Sequence, residues 1–424
     1  MAEKKEASEQ EIQTLDMADF AELDRLLEET VADPNGIPGA VLVALNKKGE
    51  TLYSNCAGKR SLSPDASEMT MDTVFWLASF TKFMTAIAVM QCVEKGLLNL
   101  DEPVGNILPE YLEPKILRGY TAEDQPILET AQRTLTLRSR HSSLGFDFHL
   151  LTHTSGLSYD LFDEKLVEWS KKTGRKENQS SGTLEGFRYP LLFEPGFGYV
   201  YSCGLDWAGQ MVERVTGSPS LEAYHRKHIW EPLGLKETTF KISSNTELSA
   251  RRAGLAIRNP DGSLTFGVHK PRDIGADICP GGSGLYGTGT DYARVLAEII
   301  NDGGVLLKPE TVKEMFRPQL PDARYLQEEF NSSSTSPISM APNWDNPTEV
   351  QYGLSFLINI HETPTGRAAG SAQWSGAANT YWWADYKKGI VGVVMAQIVP
   401  FCDKKVIDLY KAFETAVYKN VDKV

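Results

Sequence analysis

The sequence predicts a mixed α/β (α+β) fold in which one antiparallel sheet, built from both ends of the chain and flanked by helices, carries an inserted, mainly helical lobe. Three observations lead there. Strand character is concentrated near the two ends, the long middle is helical and loop-rich, and a helix flanks the strands at either end. Taken in order, about Ile12 to Val31 shows helical periodicity ("FAELDRLLEETV") and closes on the turn signals "DPNGIPG". "AVLVALNKKGETLYSNCAG" reads as a hairpin around Lys47-Lys48-Gly49. The apolar helix containing "WLASFTKFMTAIAVM" follows and stops at Gly96. Beyond it, "KKTGRKENQSSGT" reads as an exposed loop, and "EEFNSSSTSPISMAPNWDNPT" as a surface excursion. "YGLSFLINI", "GSAQWSGAANTYWWAD" and "GIVGVVMAQIV" are the late strands, the last two joined by "YKKG", and a terminal helix begins at about Lys404. The chain, 1–424, is read as one domain, with an α/β lobe from about 12–80 and 230–424 and a helical lobe from about 81–229.

Bulk properties narrow the function. A hydrophobic content of 41% and a charged content of 23% are those of an ordinary globular protein. A formal charge of −13 without a basic stripe argues against nucleic acid or an anionic membrane as partner. The charged N-terminus has no apolar h-region, and no apolar run spans a bilayer. The five scattered cysteines read as free thiols of a reducing compartment, so a cytoplasmic protein is expected. No metal-ligand spacing is present. His225 and His228 in "YHRKHIW" read as lying on a polar, solvated helix face.

Ser79 and Lys82 stand out inside the apolar helix. Residues three apart share a helix face, so the amine can approach the hydroxyl. The helix N-terminus favours negative charge developing on the serine oxygen. Desolvation favours a neutral amine, which can take the serine proton and activate the nucleophile without a histidine. The pair alone is weak, because about one Ser-x-x-Lys arises by chance in a chain of this kind. A lysine snorkelling from a helix is the competing reading.

Further motifs decide between them. In order come "GLLNLDEPVGNILPEY", "HLLTHTSGL", "FEPGFGYVYSCGLDWAGQMVERVTG", "EPLGLKETTF", "PGGSGLYGTGTDYARVLAEIINDGG" and "QWSGAANTYWW". From about Gly36 to Val399 this series resembles the serine β-lactamase-like superfamily, particularly class C β-lactamases and family VIII carboxylesterases. More narrowly, "YSCGLDWAG" and "WSGAANTYWWAD" resemble the fungal acyltransferases of lovastatin and simvastatin synthesis.

The resemblance implies a β-lactamase/transpeptidase-like fold, with Ser79 as nucleophile and Lys82 as its base. It makes Tyr201 the proton-relaying phenol, with Tyr199 the competing candidate. Trp374, Ser375, Gly376 and Ala377 match the third motif, and the amides of Ser79 and Ala377 would form the oxyanion hole. Gly376 would let that strand come close to substrate. Two departures bear on the substrate. Trp374 stands where β-lactamases carry a lysine, and Cys203 where they carry an asparagine; with Ser375 and Gly376, both are expected among the substrate-binding residues. An indole face suits a neutral or apolar group, which favours acyl esters or thioesters over β-lactams. His153 reads as a structural loop residue bonding to backbone. The implied reaction transfers an acyl group from a small-molecule donor, an acyl carrier protein being one possible source, to an alcohol acceptor. Hydrolysis is the alternative, and no cofactor is implied. A non-catalytic binding protein on this fold would need none of Ser79, Lys82 and Tyr201. The segment Ser139 to Phe148 reads as an insertion into the family pattern.

Overall fold

In β1 (Gly39–Asn46) all but the last residue are buried, so both faces of the strand must be covered. Side chains alternate along a strand. Val41, Val43 and Leu45 enter one apolar core, while Ala40, Leu42 and Ala44 enter another on the opposite face. The hairpin to β2 (Thr51–Gly58) turns at Gly49, whose φ of 78° is the left-handed conformation glycine tolerates. The structure, a computed structural model, describes residues 20–138, 140–142, 145–147, 150–160, 163–320, 322–332 and 349–421.

The C-terminal part completes the sheet with β3 (Val350–Tyr352), β4 (Leu357–Asn359), β5 (Ala372–Gly376), β6 (Thr380–Asp385) and β7 (Ile390–Met395). Among the described residues the order is β3-β4-β5-β6-β7-β1-β2, antiparallel throughout. The two chain ends meet where β1 pairs with β7, Val41 opposite Met395 and Val43 opposite Val393. Trp383 on β6 lies across its partner Gly392, where a Cβ would sit 2.0 Å from the indole.

Helices cover both faces. On one side, α1 (Ala21–Ala32) brings Leu23 and Leu27, and α5 (Lys404–Val421) brings Val406, Leu409, Tyr410, Phe413 and Val417. Each such fully buried side chain stabilises by about 1.5–3 kcal/mol. On the other side lie α2 (Thr81–Glu94), α3 (Gly204–Thr216) and α4 (Gly289–Ile300). Every residue of α2 from Thr81 to Cys92 is buried, which is why its sequence is apolar all round. No described helix is long and apolar enough to cross a membrane.

Several expectations change. The middle of the chain also holds an antiparallel hairpin, Lys115–Tyr120 with Pro126–Thr130. His225 is fully buried, packed on Trp230 and Phe240, because it lies one turn after the buried Leu221 on the inner face of the helix Leu221–His225. The excursion starting at Glu328 begins instead as helix, Arg324–Ser332, and its residues 333–348 lie outside the described residues. So do 12–19 of the first expected helix. Within Ser139 to Phe148, the short strands Arg140–Ser142 and Gly145–Asp147 pair, and Ser139, Ser143, Leu144 and Phe148 lie outside.

Candidate active site

Ser79 lies in a 3-10 turn, Ala78–Phe80, immediately before α2 rather than inside it. The preceding Ala78 has φ +45°, a costly conformation for a residue with a Cβ. That turn leaves Ser79 half-buried at the helix mouth while its neighbours are buried.

Lys82 is 1% exposed, and its ammonium has an oxygen for each of its three protons. Nζ donates to Gly282 O at 2.8 Å, to Tyr159 Oη at 3.1 Å and to Ser79 Oγ at 3.4 Å. Tyr201 Oη donates to Ser79 Oγ at 2.6 Å, and the Tyr201 ring centre is 4.5 Å from Lys82 Nζ. The structure therefore brings Ser79, Lys82 and Tyr201 together. Tyr199, by contrast, packs on Tyr352 and His153, and its buried hydroxyl has no hydrogen-bond partner among the described residues.

Behind Lys82 stand two residues to which sequence reasoning gave no role. Tyr159 Oη donates to Asp206 Oδ2 at 2.9 Å, and the Gly282 amide donates to Asp206 Oδ1 at 2.9 Å. Gly282 thus closes a loop: its carbonyl takes Lys82 and its N–H takes the acid. A Cβ there would lie 2.4 Å from Asp206 Oδ2 and 2.5 Å from Tyr159 Oη, so only glycine fits. Burial raises the pKa of the Asp206 carboxyl, and the Lys82 charge opposes the rise. Burial and the Asp206 charge hold the Tyr159 phenol far above its ordinary pKa. Tyr159 therefore stays protonated and passes the influence of the acid to Lys82. The available signal was an acid inside the apolar run "GLDWAG".

His153 is structural, as its loop position suggests. Its Nδ1 accepts the Ser202 N–H at 3.1 Å, and its carbonyl accepts the Val200 N–H at 3.0 Å. Burial and Lys82 hold its pKa well below the ordinary value, so the ring stays neutral. These two bonds fix the backbone on either side of Tyr201.

The β5–β6 turn forms the other wall. Trp374 packs its indole on Tyr201, 5.6 Å between ring centres, and at a right angle on Tyr352. Its Nε1 is buried with no partner among the described residues. Ser375 is half-buried, and Ala377 is exposed. At Gly376 a Cβ would lie 2.3 Å from Thr380 Oγ1 and 2.7 Å from the Leu77 carbonyl. The glycine brings the strand against the nucleophile's own turn, whereas the sequence reading had it approach the substrate. Cys203 is a correction. It is fully buried, with its thiol on the carbonyls of Ser158 at 3.4 Å and Phe187 at 3.7 Å, and it does not face the cleft. As the residue just before α3 it is turned inward by the start of that helix.

A sheet made from both chain ends, covered by helices and holding a serine, a buried lysine and a tyrosine at one helix mouth, is the architecture of the serine β-lactamase-like class. Consistent with this, the Beta-lactamase family model matches residues 23–416. The chain belongs to the β-lactamase family. It is 36% identical over 392 residues to the acyltransferase CalJ of Penicillium decumbens, covering 88% of each chain. It is 33% identical over 397 residues to a lovastatin esterase of Penicillium rubens, covering 92% of this chain and 96% of the relative. The LovD6 mutant of simvastatin synthase from Aspergillus terreus superposes with a TM-score of 0.84 at 32% identity, over 96% of this chain and 98% of the other.

Proposed function

We propose that this protein is a serine acyltransferase of small hydrophobic molecules, working through an acyl group carried on Ser79. The observation that carries the reading is the 2.6 Å contact of Tyr201 Oη with Ser79 Oγ beside the fully buried Lys82. In this mechanism the reactive form is the one in which the Lys82–Tyr201 pair has first given up a proton; Ser79 Oγ then attacks the carbonyl carbon of an ester or thioester, and its proton passes to that pair. The amides of Ser79 and Ala377 receive the negative charge on the carbonyl oxygen. As the carbon–oxygen or carbon–sulfur bond breaks, the same pair returns the proton to the leaving alkoxide or thiolate. An acceptor alcohol then repeats the sequence in reverse, regenerating Ser79 and releasing the new ester. Trp374 offers the acyl group an apolar face, with Ser375 and Gly376 beside it. The donor is a free thioester or one carried by an acyl carrier protein, in the cytoplasm.

Hydrolysis is the second reading, supported by the likeness to an esterase, and it differs only in that water accepts the acyl group. Intact-mass measurement after incubation with p-nitrophenyl butyrate tests the shared step. A butyryl adduct is expected on the native protein and none on Ser79→Ala, and labelling that persists in the variant overturns the assignment. Product analysis with an added alcohol then separates ester formation from release of free acid.

A further inference from the structure

Resting on the acyl-enzyme reading, we propose that Thr85 is a positioning residue for that reaction: from the second turn of α2 its hydroxyl fixes the segment 281–285, and through the Gly282 carbonyl it fixes Lys82 Nζ beside Ser79. Of the three oxygens around Nζ, the Gly282 carbonyl is the nearest, at 2.8 Å against 3.1 Å for Tyr159 Oη and 3.4 Å for Ser79 Oγ. The lysine reaches it on a flexible four-carbon stem, so the place of that carbonyl decides where the amine comes to rest. Whatever holds the Gly282 peptide therefore holds the base.

The segment cannot hold itself. It reads Gly-Gly-Ser-Gly-Leu, and three glycines in five residues bring a wide choice of backbone conformations. Crowding demands them: a Cβ at Gly281 would lie 2.5 Å from the Leu205 carbonyl of α3, and one at Gly284 would lie 2.8 Å from the Phe240 ring. Contacts from outside must then impose the order that the chain itself lacks.

Two threonines one turn apart on α2 impose it. Thr85 Oγ1 donates to the Gly281 carbonyl at 2.7 Å, a closer acceptor than the Thr81 carbonyl at 3.2 Å within its own helix. Thr81 Oγ1 accepts the Leu285 N–H at 3.1 Å and donates to the Ala78 carbonyl at 2.6 Å, so the far end of the segment is tied to the turn that carries Ser79. Both threonines are fully buried, where a hydroxyl without a hydrogen bond is costly. The Thr85 contact bears most directly on Lys82, because the Gly281 carbonyl and the Gly282 N–H belong to one peptide plane. Thr85 holds one edge of that plane, and Asp206 Oδ1 holds the other at 2.9 Å. With both edges fixed, the Gly282 carbonyl that follows is aimed at Nζ. Among the described residues the Thr85 hydroxyl bonds to none of Ser79, Lys82 and Tyr201, so its influence on them runs through residue 281.

The test separates rate from folding. Stopped-flow acylation by p-nitrophenyl butyrate gives the acylation rate constant, the half-saturating concentration and, from the amplitude, the fraction of reactive sites. Thr85→Val keeps the volume and loses the hydroxyl. It is expected to slow acylation about ten- to a hundredfold, the scale of a slightly misplaced reacting group, with the other two quantities unchanged. Thr85→Ser, which keeps the hydroxyl, should restore most of the rate. Thr85→Cys is similar in shape to the serine variant but is a weaker donor, and should fall several-fold below it. That second pair decides the matter if Thr85→Val does not fold. Acylation of Thr85→Val at the native rate, equal slowing in Thr85→Val and Thr85→Ser, or equal rates in Thr85→Ser and Thr85→Cys overturns the proposal. So does a loss confined to the reactive fraction, which marks a threonine that serves folding alone. A native protein inert to p-nitrophenyl butyrate sinks the acyl-enzyme reading and this proposal with it. A native protein that is acylated, beside an equally fast Thr85→Val, sinks this proposal alone.

Discussion

At the scale of single residues, the proposed chemistry turns on Lys82, whose Nζ lies within hydrogen-bond reach of three oxygens, Ser79 Oγ at 3.4 Å among them. A guanidinium keeps the charge but cannot be deprotonated, and its plane does not reproduce three diverging bonds. Lys82→Arg is therefore expected to lower kcat/KM for p-nitrophenyl butyrate by about 10²–10⁴-fold, the usual share of a general base. Turnover within a few-fold of the native protein would refute the base role. That Ser79, Lys82 and Tyr201 come together was legible because their motifs lie in short, ordered stretches of chain. Tyr159 and Asp206 were not, since their bond joins segments 47 residues apart and burial of an acid cannot be read from its letter. Cys203 was misread for a related reason: the family pattern gives a position, but not the direction in which a helix start points the side chain.

Among the elements, the β5–β6 turn governs the approach to Ser79. Asn379, with φ +60°, sends its Nδ2 to the carbonyls of Ile398 and Pro400, while its Oδ1 accepts from Tyr381 and Asp403. The turn carrying Ala377 is thus tied to the chain beyond the sheet. Gly376→Ala would force a methyl group within 2.7 Å of the Leu77 carbonyl. We expect acylation by p-nitrophenyl butyrate to slow at least about tenfold, with about 1–3 kcal/mol lost in chemical denaturation. An unchanged acylation rate would show that the contact does not set the geometry of Ser79. The β1–β2 and β6–β7 hairpins were legible from apolar runs bounded by turn residues. The hairpin at Lys115–Thr130 was not: its first strand buries only the adjacent pair Ile116 and Leu117, and Ile127 and Leu128 on its second strand are about half exposed, so neither strand shows an alternating pattern. The π-helical turn at Arg226–Trp230 likewise leaves no mark in the sequence.

For the whole molecule, buried histidines set the response to acid. His225 is fully buried, and desolvation pulls its pKa from 6.5 to about 3. Below pH 6.5 the unfolded chain takes up a proton that the folded protein refuses, so stability falls as the pH drops towards 3. By pH 5 the loss from this one group is about 2 kcal/mol. His225→Phe, which suits the pocket of Trp230 and Phe240, should shrink the difference in unfolding free energy between pH 7.5 and pH 5 by about that amount. The same pH dependence in the variant and the native protein would exclude His225 as the source. The sheet itself has a different consequence, one of timing. Val41 cannot meet Met395 until nearly the whole chain has left the ribosome. At translation speeds of about 5–20 residues per second, the β1–β2 hairpin waits roughly 20–70 s with an unpaired edge and two bare apolar faces. Through that interval the edge and apolar faces that β7 and the helices later cover stand open to other chains.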